Sequence, residues 1–302
     1  MRGGENQKGE AMKDIYQTVT DRIIERIEAG EIPWDRGWQT DGRMPANAVS
    51  GHQYQGVNVM TLWAMRYESP FWLTFNQAKS LGGSVKKGEK ASPVVFWKFF
   101  DREDEDGKAK RIPMLKSYCV FNIAQCEGIP ADKLPEAEEA AKKSFSPLES
   151  AEAVVGGYQG GPKIEIGYQQ ACYSPTFDTV QMPSPESFVK AENYYSTLFH
   201  ELIHSTGHKD RLNRDKGGSF ADEKYSREEL IAEMGAAFLN AHCGLDIETE
   251  TRSAAYLQGW LKVLKADPKA LIVAGGAAQK AANLILGKAP ALEAVTAEGA
   301  AV

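Results

Sequence analysis

The 302-residue sequence predicts an α+β fold in two domains, and three observations carry that expectation. Helical periodicity marks residues 14–29 and most of the chain after Pro183. Short aromatic and β-branched runs broken by glycine and proline fill residues 45–129. Between these regions, residues 131–150 are rich in Ala, Glu, Lys, Pro and Ser and poor in aromatics, as a linker would be.

In chain order, Ile15, Val19, Ile23 and Ile27 recur every four residues, which predicts an amphipathic helix. Gly30 and then Pro33 supply its stop. The runs Pro93-Val-Val-Phe-Trp-Lys-Phe-Phe100 and Ser117-Tyr-Cys-Val-Phe-Asn-Ile123 read as strands, with the charged residues 101–110 as their hairpin loop. The first domain, residues 12–130, is therefore expected to be α+β around a small antiparallel sheet. The second, residues 151–287, starts with a helix near Ala151 and strands at 163–166 and 171–173, followed by a further segment at 177–182. A helix follows from Pro183-Ser184-Pro185 to about Thr206, then others at 227–241, 254–265 and 277–286. The length suits two domains with a core each, and the Ala-rich tail 288–302 is expected to be disordered.

Charge is unevenly spread. The chain carries −6 overall, yet residues 43–98 hold seven bases (Arg43, Arg66, Lys79, Lys86, Lys87, Lys90, Lys98) against two acids (Glu68, Glu89). No apolar run approaches the ~18 residues a membrane span needs, and the polar N-terminus is neither signal nor anchor. Cys119, Cys126, Cys172 and Cys243 form no CxxC pair and read as free thiols. A cytoplasmic protein with no membrane partner is expected.

The segment Tyr194-Tyr-Ser-Thr-Leu-Phe-His-Glu-Leu-Ile-His204 carries the chemistry. His200 and His204 are four apart on a helix, so their rings share a face and can meet one Zn²⁺. Glu201 can take a proton from a metal-bound water as general base. A third ligand is needed, and the helix around residues 226–238 offers Glu229 and Glu233 four apart, with Ala232, Gly235 and Ala236 small enough for close packing. Glu229 is preferred as ligand and Glu233 as the group that orients a histidine; the reverse stays open, as does Asp210 in the spacing HExxHxxGxxD. Tyr225 can stabilise an oxyanion or simply pack. His208 reads as a surface or supporting histidine. Zn²⁺ is the expected cofactor, one per chain, with Mn²⁺ the alternative.

Single-stranded nucleic acid is held by basic grooves and aromatic faces. Tyr54, Trp63, Trp72 and Trp97 interleave with Lys86, Lys87 and Lys90, and residues 82–90 form a Gly- and Lys-rich turn suited to phosphates. The run from Pro45 to Asn58, then Trp72-Leu-Thr-Phe-Asn-Gln-Ala78, Gly88-Glu-Lys90, Val120-Phe-Asn122 and Gln125, resembles the ArdC-type antirestriction proteins and the module that opens some conjugative primases. His200-Glu-Leu-Ile-His-Ser-Thr-Gly-His208, Arg211-Leu-Asn213 and Glu228-Glu-Leu-Ile-Ala-Glu233 resemble the zincin-like metallopeptidase domain of the same family. The resemblance covers residues 12–286. It implies single-stranded DNA binding by the first domain, with Asn58 in its motif, and a peptidase-type second domain. It further implies protection of incoming plasmid DNA from the host's restriction enzymes, which are candidate substrates. Two alternatives stand beside it: a protein that coats single strands around a structural metal site, and a metal-dependent nuclease.

Overall fold

The computed structural model describes residues 4–32, 44–103, 109–135, 147–214, 223–245 and 254–288. Helix α1 (Gly4–Glu28) buries Tyr16, Val19, Ile23 and Ile27 along one stripe, as the periodicity requires. It ends where Gly30 takes φ +78°, a backbone that glycine adopts without strain. There the Gly30 N–H bonds Ile27 O at 3.0 Å and the Glu31 N–H bonds Arg26 O at 2.9 Å, which satisfies two carbonyls the helix end would otherwise leave open.

Strand β1 (Ala46–Asn47), helix α2 (Val57–Trp63), strand β2 (Phe71–Leu73), helix α3 (Phe75–Ser80) and strand β3 (Ser84–Val85) come next. The long hairpin β4 (Ser92–Glu103) and β5 (Ala109–Asn122) and the short β6 (Cys126–Glu127) complete this half. The sheet order is β1-β2-β5-β4, with β1 parallel to β2 and the other pairs antiparallel, and β3 pairs β6 separately. The hairpin loop is shorter than expected. The strands run on through residues 101–103 and 109–110, with Asp101 in register with Arg111.

The second half holds α4 (Pro147–Gly157), β7 (Lys163–Ile166), β8 (Cys172–Ser174), β9 (Thr179–Met182), α5 (Ala191–Thr206), α6 (Glu223–Cys243), α7 (Ala254–Ala266) and α8 (Ala270–Ile285). Its sheet order is β7-β9-β8, which leaves β8 on an edge. Two boundaries differ from the sequence reading. The prolines near 183–185 open only a single 3₁₀ turn, Pro185–Ser187, because extended backbone at Phe188 and Lys190 breaks the chain before α5 begins. Helix α8 starts at Ala270 rather than 277, its apolar residues Leu271, Ile272 and Ala274 being buried. Of the expected linker, residues 136–146 lie outside the described residues, and α4 already starts at Pro147. The tail from 289 onward also lies outside them. All four cysteines are free.

The expectation of a core for each domain needs correcting. One continuous cluster of buried apolar side chains runs through both halves. The Trp63 ring on α2 lies 6.1 Å from Phe238 on α6, and the buried Thr20 hydroxyl on α1 donates to Pro268 O at 2.7 Å. Helices α2 and α8 meet backbone to backbone: a Cβ on Gly275 would sit 2.7 Å from the Val57 nitrogen. Beside that contact the Gly56 N–H donates to Gln279 Oε1 at 3.1 Å. The halves are joined by a packed seam.

Candidate metal centre

Helices α5 and α6 cross closely because α6 carries Ala232, Gly235 and Ala236 where α5 presents Ile203. A Cβ on Gly235 would come within 2.6 Å of Ile203 Cδ1. That proximity brings two histidines and a row of acids together. His200 Nε2 and His204 Nε2 are 3.1 Å apart, and the Glu229 carboxylate reaches both, at 3.5 Å and 3.3 Å. Among the described residues these three ligand atoms lie within 4.8 Å of one another, the spacing of a site for one cation.

The other ring nitrogens are held from behind. His200 Nδ1 lies 3.6 Å from Glu233 Oε1, and His204 Nδ1 lies 3.2 Å from Glu228 Oε1. Glu228 fixes the His204 ring by a hydrogen bond so that Nε2 faces the shared centre, while Glu233 stands at ion-pair distance behind His200. Glu228 is itself gripped by Arg214, whose Nε and Nη2 donate at 3.0 Å and 2.6 Å. The same guanidinium bonds Ile203 O and Thr206 Oγ1, which ties the end of α5 to α6. Glu201 is buried.

Burial alone would hold His204 largely neutral, but the hydrogen bonds its ring donates to Glu228 and Glu229 outweigh it and raise its pKa to about 9. Burial pushes the Glu229 carboxyl up, and its bonds to His200 and His204 more than reverse this, leaving it well below the usual carboxylate range. Glu228 shows the same pattern, with burial opposed by His204 and Arg214. Glu201, Glu228 and Glu229 are all buried, with Arg214 as the guanidinium among them. A divalent cation supplies the charge this carboxylate-rich cluster lacks, and the two-imidazole, one-carboxylate donor set fits it.

The structure thus brings His200, Glu201, His204, Glu229 and Glu233 together. It does not bring Asp210, whose side chain is 73% exposed in the loop after α5 and pairs with His208 at 3.5 Å. Tyr225 is half-buried in the first turn of α6, four residues before Glu229 and on the same face. Sequence reasoning missed Glu228 and Arg214 as supports.

The residues expected to meet nucleic acid divide differently. Tyr54, Trp63 and Trp72 are 2%, 4% and 2% exposed, which corrects their assignment as stacking faces: these rings fill the core and present no face to a base. Asn58 is buried too, its amide donating to Val95 O and its oxygen accepting from the Val95 N–H, both at 2.7 Å, so it clamps α2 to β4. Lys86 is exposed with its amine on Ala124 O at 2.9 Å, while Lys87 and Lys90 are exposed. Trp97 and Phe75 stay exposed, joined by Phe100, which the sequence reading did not single out.

Comparisons with known proteins match each half of the chain to a family. Residues 13–121 match the N-terminal domain of the anti-restriction factor ArdC, and residues 149–278 match the zincin-like metallopeptidase family MPTase-PolyVal. The chain is 36% identical to y4eC of Sinorhizobium fredii, over 89% of this chain and 91% of that protein. It is 31% identical to the DNA primase TraC of Escherichia coli over 92% of this chain but spans only 27% of the primase. The metal-free crystal structure of the antirestriction protein ArdC from plasmid R388 superposes with TM-score 0.72 at 42% identity, covering 90% of this chain and 97% of that one. Its Mn(II)-bound structure gives 0.73 at 40% identity, covering 92% and 98%. No helix among the described residues is long and apolar enough to cross a membrane.

Proposed function

This chain belongs to the ArdC antirestriction family, and from that membership we propose that it binds single-stranded DNA through its N-terminal half and hydrolyses peptide bonds at the His200, His204 and Glu229 centre. The task this serves is protection of plasmid DNA entering a new host, and DNA-bound host proteins such as restriction enzymes are the substrates. The convergence of the two Nε2 atoms and the Glu229 carboxylate on one point carries the reading.

His200, His204 and Glu229 would hold a divalent metal, Zn²⁺ by the donor set and Mn²⁺ as the alternative. When bound, the metal polarises a carbonyl and acidifies a water. Glu201 stands one residue from the ligand His200 and accepts the proton from that water. Glu228 and Glu233 keep the imidazoles oriented, and Arg214 keeps Glu228 ionised and in place. Strand β8 packs on α5 and sits at the sheet edge, where an extended peptide can add main-chain hydrogen bonds. A carboxylate general base beside three ligands favours hydrolysis over a purely structural site, and a single three-ligand site favours peptide over two-metal nuclease chemistry.

The test is cleavage of DNA-bound restriction proteins by the full chain, with and without a single-stranded oligonucleotide, chelator and Glu201→Gln. Cleavage that needs metal and Glu201 supports the reading. Metal-loaded protein that leaves every candidate intact would remove the peptidase half of it.

A further inference from the structure

The burial of Tyr54, Trp63 and Trp72 removes three rings on which a strand of DNA was expected to stack. Elsewhere in the same half, a cleft of about 460 Å³ lies between α1, the end of α2 and the turn before β4. That volume lies in the roughly 300–1,000 Å³ range of small-ligand sites. Arg22 and Arg26 line one wall and Lys90 the other, with Met65 and Tyr67 between them and Gln125 also on the lining.

The basic wall is only lightly committed. Among the described residues, the contacts of the Arg22 guanidinium to Ala91 O at 3.4 Å and Met65 Sδ at 3.9 Å sit at the outer limit of hydrogen-bond geometry. Its fork of donors is therefore available to a phosphate. Glu25 and Glu89 also line the cleft, but Gln125 Nε2 already donates to Glu89 at 2.8 Å. Arg26 is paired with Glu31 at 2.8 Å, so the main cationic groups left are Arg22 and the exposed Lys90.

The opposite wall is pre-shaped. Gln125 Nε2 also donates to Lys90 O at 3.0 Å, and the Lys86 N–H donates to Gln125 O at 2.9 Å. Gly88 takes φ +90°, which lets the turn fold back. The half-buried Tyr67 ring is braced edge-on by the buried Trp72, their centroids 5.5 Å apart. Trp72 thereby supports a ring that faces the cleft.

We propose that this cleft takes one nucleotide of a single DNA strand, its phosphate against Arg22 and Lys90 and its base against Tyr67 and Met65. The proposal rests on the reading that this half binds single-stranded DNA. A base stacked on the aromatic ring adds affinity without regard to sequence, and each neutralised phosphate adds about 0.7 to the salt slope for a single strand.

The experiment titrates the full-length protein into a fluorescein-labelled oligo-dT across a salt series, with melting curves for every variant. Arg22→Gln with Lys90→Gln should weaken binding at least tenfold and flatten the salt slope by about 0.7, the share of the one phosphate they hold. Ala91→Trp fills the cleft without changing charge and should weaken binding to a similar degree. If it melts early, Lys90→Gln alone, at an exposed position, keeps the question open to measurement and should weaken binding severalfold. Lys98→Gln with Lys116→Gln, on the hairpin, should leave binding unchanged. Wild-type binding that survives the cleft variants, or is lost only in the hairpin pair, overturns the cleft assignment. Thymidine monophosphate binding as tightly as the oligonucleotide would make this a free-nucleotide site and overturn the strand. Wild-type protein that binds no single strand would overturn the underlying reading as well.

Discussion

The candidate metal centre and the N-terminal half use their signature residues in opposite ways. Around α5 and α6, the residues that looked chemical are gathered at one point: His200, His204, Glu229 and Glu233 meet within hydrogen-bonding or ion-pair distance. In the N-terminal half, the residues that looked most functional, Trp63 and Trp72, are spent on the core, and weaker-looking ones are left outside. The difference lies in what each residue type can do elsewhere. An imidazole or carboxylate gains little from burial without a partner, so a buried cluster of them points to chemistry. An indole is as useful to a core as to a binding face.

The sharpest way to break the comparison is to remove a ligand. His204→Ala or His200→Ala should take the metal content of purified protein from about one per chain to near zero, whereas Glu201→Gln should keep it. Elemental analysis of the three proteins decides this, and a metal-free Glu201→Gln protein would make Glu201 a ligand.

Next comes the contrast between two tryptophans. Trp72→Ala should cost about 3–5 kcal/mol of stability, as a core truncation does, while Trp97→Ala should stay within about 0.5–1 kcal/mol. Urea unfolding of both measures it; equal losses would place both rings in the core.

A smaller effect is expected at the support for His204. Arg214→Met leaves Glu228 buried without its guanidinium and should weaken metal binding about 10–100-fold with the ligands intact. Competition with a chromophoric chelator reads the change, and unchanged affinity would confine Arg214 to tying α5 to α6.

The smallest concerns pH. In metal-free protein His204 has a pKa raised to about 9, so its charged form stabilises the fold fully below the ordinary histidine value of about 6.5. That contribution falls away as pH rises through 9. Unfolding midpoints in chelator should therefore decline from pH 6.5 to 9.5, and the metal-loaded protein, whose rings must be neutral to ligate, should lack this decline.

The residues of the candidate metal cluster were legible because helix geometry is local. A spacing of four puts His200 with His204 and Glu229 with Glu233 on common faces whatever the rest of the chain does. Glu228 was not, since it points about 100° around α6 from Glu229, and its meeting with His204 depends on how two helices are offset. Arg214 lies beyond Asn213, whose backbone turns to φ +48°, and no periodic pattern announces where such a loop returns. In the N-terminal half, the strands were readable but their faces were not. Trp72 and Trp97 both sit in strands of one sheet, and only the helices packed on each side decide which ring meets water.

The contact between Gly275 and Val57 bears on how such proteins can be rebuilt. A chimera that joined this N-terminal half to another catalytic half would need a glycine, or an equally bare backbone, at the position facing α2, and a partner for the Trp63 ring. Cutting at residues 136–146 and exchanging the C-terminal half for one without that glycine would set a side chain against main chain at the seam. An exchange of halves therefore has to carry both sides of the joint together, although the chain reads as two modules.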